Sequence, residues 1–60
     1  MPLDQLPPGM LDTAKKTLPQ VKFDTAYRLA NGNIEVRGKD AKGKVREVEF
    51  KPDGSVEGVE

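Results

Sequence analysis

The chain has 60 residues, ten Lys plus Arg balanced by ten Asp plus Glu, and no His, Cys or Trp. One small domain is the ceiling at this length, and such a domain buries only about 60% of the surface its unfolded chain exposes. The missing His and Cys remove zinc clusters, thiol nucleophiles, imidazole bases and disulfide staples, and the zero net charge offers nucleic-acid phosphates no general attraction.

Residues 1–7 carry Pro2 and Pro7 and read as an extended entry segment. Met1-Pro2-Leu3-Asp4 has neither the charged leader nor the long apolar core of an export signal. A helix is expected over 8–18. Pro8 suits a first helical turn, Met10, Ala14 and Leu18 recur four residues apart with Leu11 seven before Leu18, and Asp12 and Lys16 form a favourable pair. Pro19 pushes Leu18 out of the helical region and ends it. No apolar run approaches the ~18 residues of a membrane span, so no membrane insertion is expected.

Beyond Pro19 the apolar period becomes two, which predicts strands at 20–30, 33–39, 44–51 and 55–59. Asn31-Gly32 predicts a two-residue type I′ hairpin, which sets Leu29 opposite Ile34, Arg28 opposite Glu35 and Tyr27 opposite Val36. A three-residue loop Ala41-Lys42-Gly43 sets Asp40 against Lys44, Val36 against Val48 and Ile34 against Phe50; a shorter loop would turn one strand inside out. Lys51-Pro52-Asp53-Gly54 has the type I pattern and sets Phe50 against Val56 and Val48 against Gly58. The expected fold is α+β: a single domain over 1–60 with one N-terminal helix packed on a four-stranded antiparallel meander in the order 1-2-3-4. Its core face carries Leu29, Ile34, Phe50 and Val56, then Tyr27, Val36, Val48 and Gly58, with Met10 filling space against Phe50. No internal repeat is read.

The opposite face carries Glu35, Glu49 and Glu57 in a row beside Arg28, with Arg37 and Glu47 in the next row. Carboxylates on neighbouring strands lie about 5 Å apart and repel, so the row is either a solvated face relieved by Arg28, Arg37 and Lys51 or a site for a basic partner or a divalent cation. A calcium loop is not expected at Asp53-Gly54, because Lys51 and Pro52 stand where alternating oxygen ligands would be needed. The basic run Arg37, Lys39, Lys42, Lys44 and Arg46 lacks interleaved aromatics and reads as a solvated hairpin, not a nucleic-acid surface. Ser55 is the only serine and has no imidazole to activate it, so no catalytic residue, metal site or cofactor is expected. Both sheet edges are open in this reading. The edge of the first strand around Lys22–Thr25, with Lys22 and Asp24, is the expected place for homodimerisation or peptide capture.

Leu6-Pro7, a helix containing Ala14, and Leu18-Pro19 leading into Val21 and Phe23 form a recognisable order. Asn33-Ile34-Glu35-Val36, Val45-Arg46-Glu47-Val48-Glu49-Phe50 and Pro52-Asp53-Gly54-Ser55-Val56 continue it. Together, over residues 6–59, they resemble the PepSY-like family of small exported bacterial domains, related to peptidase propeptides and β-lactamase-inhibitor-like repeats. Ile34 stands where the family usually has Tyr, and Lys51 where it has the first Asp of the closing turn. The resemblance implies a helix on an antiparallel sheet, a periplasmic or secreted location, and a non-catalytic module that inhibits or regulates a protein or peptide partner. On that reading the candidate partner-binding residues are Lys22, Asp24, Arg28, Glu35, Arg37, Glu49 and Glu57. A small-ligand or cation-binding module, using the outer sheet face or the helix–sheet cleft, is the alternative.

Overall fold

Pro7-Pro8-Gly9 is the first segment whose residues dictate its geometry. Met10 N–H donates to the Pro7 carbonyl at 3.2 Å while Gly9 takes a φ of 82°, the Pro-then-Gly order of a type II turn. Pro8 therefore lies in a turn and not, as expected, in the helix. The computed structural model describes all 60 residues. A 3-10 turn spans Leu3–Gln5, α1 Met10–Thr17, β1 Lys22–Arg28, β2 Ile34–Lys39, β3 Val45–Phe50 and β4 Val56–Val59. The entry segment thus contains a turn where extended chain was expected, and each remaining element is somewhat shorter than its predicted span. Asp12 in the first turn of α1 and Lys15 and Lys16 in the last complement the helix dipole. Leu18 leaves the helix at φ −130° ahead of Pro19.

The four strands form one antiparallel sheet in the order β1-β2-β3-β4, as the alternation predicts. All three hairpins are closed by the same three-residue loop, which corrects the two-residue reading of Asn31-Gly32. Leu29, Asp40 and Lys51 donate their N–H groups to the carbonyls of Asn33, Lys44 and Ser55 at 2.8, 3.0 and 2.8 Å. Gly32, Gly43 and Gly54 then close each turn with φ of 88°, 77° and 92°, the left-handed conformation in which glycine meets no steric penalty. These glycines are spaced eleven residues apart, a periodicity that the sequence reading missed. A type I′ turn would need a positive φ at Asn31, and no residue other than glycine has one. Instead Asn31 Oδ1 accepts the Asn33 N–H at 3.0 Å, a side-chain turn typical of Asn.

One extra residue in that loop moves β1 by one position against β2. Ala26 faces Val36, Tyr27 faces Glu35 and Arg28 faces Ile34, so Tyr27 leaves the core face to which it was assigned. Leu29, likewise assigned to the core, does not join the buried cluster. A bulge between Phe23 and Thr25 then reverses the parity, and Val21 and Phe23 point inward after all. The β2–β3 register agrees with expectation, with Ile34 opposite Phe50 and Val36 opposite Val48. Phe50 opposite Val56 also agrees. Past it a second bulge, between Glu49 and Phe50 on the β3 side, sets Val48 against Val59 instead of Gly58.

Helix and sheet meet through Met10, Ala14, Ala26, Ile34, Val36, Val48 and Phe50, of which Ala14, Ala26, Val36, Val48 and Phe50 are fully buried. Ala14 and Ala26 keep the layers close, and Leu11, Leu18 and Phe23 pack around the rim. The 3-10 turn lies against β1, where Leu3 and Leu6 join the core and the Met1 amine donates to the Ala26 carbonyl. These partly buried leucines draw the N-terminal segment against β1, and its one hydrogen bond to the strand falls at Ala26, so Lys22, Asp24 and Thr25 stay exposed along the edge where association was expected.

Gly38 is the position that permits the β1 bulge. A Cβ there would lie 2.1 Å from the Lys22 carbonyl oxygen and 2.6 Å from the Phe23 Cα, whereas a Cβ at Gly58 would meet nothing within 4 Å. Backbone cannot yield as a flexible side chain can. Gly38→Ala is expected to lower stability by about 1–3 kcal/mol, the usual cost of overpacking. Gly58→Ala should change it little, and urea unfolding of the two variants checks the contrast.

Candidate functional site

The outer sheet face is built by β2 and β3, the two central strands. Glu35 sits opposite Glu49 and Arg37 opposite Glu47, and the shifted β1 adds Tyr27 beside Glu35. Arg37 organises the patch. Its Nη2 donates to Glu35 Oε1 at 2.9 Å and lies 3.1 Å from Glu47 Oε1, and its guanidinium stands 4.8 Å from the Tyr27 ring centroid. An Arg over an aromatic face gains from the ring quadrupole. Arg37 Nε, beneath the surface, has no hydrogen-bond partner.

Asn33, only 7% exposed, donates from Nδ2 to Glu49 Oε2 at 2.8 Å. The carboxylates at Glu35 and Glu49 are thus each held by a different donor, which relieves their cross-strand repulsion. Glu35, Glu47, Glu49 and Glu60 line a shallow hollow together with Gly58 and Val59. Glu60 reaches this hollow because its backbone exchanges both hydrogen bonds with Glu47, at 2.7 and 2.8 Å. The other shallow hollows lie elsewhere, including one at each end of α1, beside Pro7–Met10 and beside Leu18–Val21.

Of the residues predicted to form a site, Glu35, Arg37 and Glu49 are brought together. Glu57, expected in their row, sits in the β4 bulge, where its carboxylate is 3.5 Å from Lys51 Nζ; Gly58 takes its place opposite Glu49. Arg28, expected beside Glu35, lies at the end of β1 opposite Ile34. Lys22 pairs with Lys39, and Asp24 occupies the β1 bulge. These two border a separate hollow with Gln20, Lys39, Asp40, Ala41 and Gly43. Sequence reasoning missed Tyr27, Asn33 and Glu60 on the outer face. Tyr27 was missed because the Asn31-Gly32 loop holds one residue more than expected, and Glu60 because the β4 bulge leaves no trace in the alternation. No group of three or more His, Cys, Asp or Glu is arranged to hold a metal ion, and no helix is long and apolar enough to cross a membrane.

No family model, curated protein or solved structure matches this chain.

Charge at the patch responds to its neighbours. Glu47 is pushed above its ordinary 4.5, first by hydrogen bonding with Glu35, then by desolvation and the Glu35 charge, against the pull of Arg37. Arg37 is held above its ordinary value chiefly by its hydrogen bond to Glu35. In the turns the direction is opposite. Asp40 is lowered from 3.8 mainly by the Lys44 N–H, and Asp53 mainly by the Ser55 hydroxyl, which donate at 3.0 and 2.7 Å.

These shifts set a pH dependence. A carboxyl whose folded value is raised adds stability that is full below its unfolded value and disappears as pH climbs through the folded one. Stability contributed by Glu47 should therefore decline as pH rises from 4.5 through its raised value. The two turn aspartates act the other way, losing their contribution only as pH falls below 3.8. Urea midpoints measured from pH 4 to 7 should show this decline in the wild type, and Glu47→Gln should flatten it.

Proposed function

We propose that this chain is a non-catalytic protein-interaction module of PepSY-like type, inhibiting or regulating a secreted or envelope protein through its outer sheet face. The family part of the reading is supported by the order of sequence motifs from Leu6-Pro7 to Asp53-Gly54-Ser55-Val56. The observation that carries the choice of face is the Tyr27–Arg37 stack, with Arg37 bracketed by Glu35 and Glu47. Tyr and Arg dominate the energetics of protein interfaces because each offers a large, stiff contact surface with a polar end.

Here the two side chains are positioned before any partner arrives. Tyr27 is 43% exposed although it lies on a strand, and ion pairs on two sides restrain the guanidinium. Holding these groups in place in advance lowers the ordering cost that binding would otherwise incur. Around them Glu35, Glu47, Glu49 and Glu60 present acceptors, which suits donors on a partner surface. Nothing about this arrangement calls for a nucleophile, a base or a bound cofactor.

The test is capture of a bacterial envelope protein by the immobilised chain, compared with Tyr27→Ala. Losing this ring should cut capture at least tenfold, in line with the 2 kcal/mol or more of a typical interface hot spot, while circular dichroism shows the fold unchanged. Equal capture by both proteins would move the interface off this face. Calcium titration of the free chain separates the cation-binding reading: amide shifts confined to Glu35, Glu47, Glu49 and Glu60 would favour it over protein binding.

A further inference from the structure

The two edges of the sheet differ in what covers them. Along β1 the N-terminal segment covers part of the edge, with the Met1 amine on the Ala26 carbonyl and the 3-10 turn alongside. Along β4 every residue is exposed. Backbone alternation shows which groups are free there. Glu60 exchanges both hydrogen bonds with Glu47, and the Ser55 carbonyl accepts the Lys51 N–H. In an antiparallel ladder, residues bonded to the neighbouring strand alternate with residues whose N–H and C=O point away. Val59 and Val56, adjacent to those bonded residues, therefore present their N–H and C=O groups to the open edge.

Their side chains complete the feature. The β4 bulge leaves Val56 opposite Phe50 and Val59 opposite Val48, so both valines lie on the core side of the sheet. Yet α1 packs on β3 and does not cover them: Val56 remains 40% exposed and Val59 43%. An open backbone edge flanked by apolar side chains is a template for another strand.

We propose that β4 is a self-association edge, pairing antiparallel with β4 of a second copy about a twofold axis to give one continuous sheet. The strand is complementary to a second copy of itself. With the axis between Glu57 and Gly58, Val56 of one copy meets Val59 of the other, Glu57 meets Gly58, and Ser55 meets Glu60. No two carboxylates face each other, and the two bulges coincide, so the outward N–H and C=O groups stay in register. Such a contact is isologous and closes on itself. The zero net charge of the chain leaves no overall repulsion between copies. A strand this short buries less than the roughly 800 Å² per partner of a standard stable interface, so the dimer is weak and its population depends on concentration.

Sedimentation equilibrium and amide hydrogen exchange on the full chain, from micromolar to millimolar concentration, test the proposal. The wild type should rise from the mass of one chain toward that of two, and exchange at Val56 and Val59 should slow in step while β1 amides do not change. Val59→Pro removes an outward N–H and no bond to β3; Val56→Lys places a charge at the seam. Either variant should keep the mass of one chain throughout, with its β2 and β3 amides unchanged, whereas Tyr27→Ala should associate like the wild type. A wild type that stays at one chain at millimolar concentration overturns the proposal, as does undiminished association in both β4 variants. Protection of Val56 and Val59 by an added extended peptide, with the chain alone monomeric, overturns it in favour of a peptide occupant.

Discussion

The close approach of the β1 backbone to Gly38 is the constraint on which the sheet rests. The loop at Ala30-Asn31-Gly32 has three residues, and that length alone would turn Val21 and Phe23 toward solvent. The bulge at Asp24 reverses the parity, and it fits only because Gly38 has no Cβ to meet the Lys22 carbonyl. Two local departures from regular strand geometry thus cancel. Their combined effect is to bury Val21 just ahead of β1 and Ala26 in its middle while Tyr27 faces out, which lets α1 settle closely against the sheet through Ala14.

The same pair of departures makes the outer face. Moving Tyr27 outward sets its ring beside Arg37, and Arg37 in turn holds Glu35 and Glu47. A neutral chain can still concentrate one sign of charge on one surface, because strand pairing and not composition decides which side chains are neighbours. Glu47 registers that concentration in its raised titration. The cost of crowding carboxylates there is limited by two donors, the Arg37 guanidinium and the Asn33 amide.

Much of this architecture was legible in the residues. Pro19, the change of period after it and the three glycine-bearing turns suffice for one helix followed by a meander, and the β2–β3 register follows from the demand that Ile34 and Val36 face Phe50 and Val48. What escaped was the length of the first loop and the parity beyond the bulges. Val21, Phe23, Thr25, Tyr27 and Leu29 alternate without a break, and nothing in that pattern marks Asp24 as extra. The small Ala26 reads as the less apolar partner of Tyr27, although burial of a methyl between two packed layers outweighs exposure of a hydroxylated ring. At β4 the acidic row was lost for the same reason, since one inserted residue moves Glu57 toward Lys51 and brings Glu60 in.

The order of the strands has a kinetic consequence. Each strand pairs only with its neighbours in the chain, and each reversal spans a few residues, so hairpin closure costs little loop entropy and proceeds on a microsecond scale, about 1–10 μs. Only the docking of α1 on β3 and of the N-terminal turn on β1 joins segments far apart in sequence. Proteins dominated by such short-range contacts fold faster than sandwiches and closed barrels. At eight residues the helix is too short to persist alone in water, so it gains its stability only by docking on the sheet and acts as the latch that completes the cooperative unit.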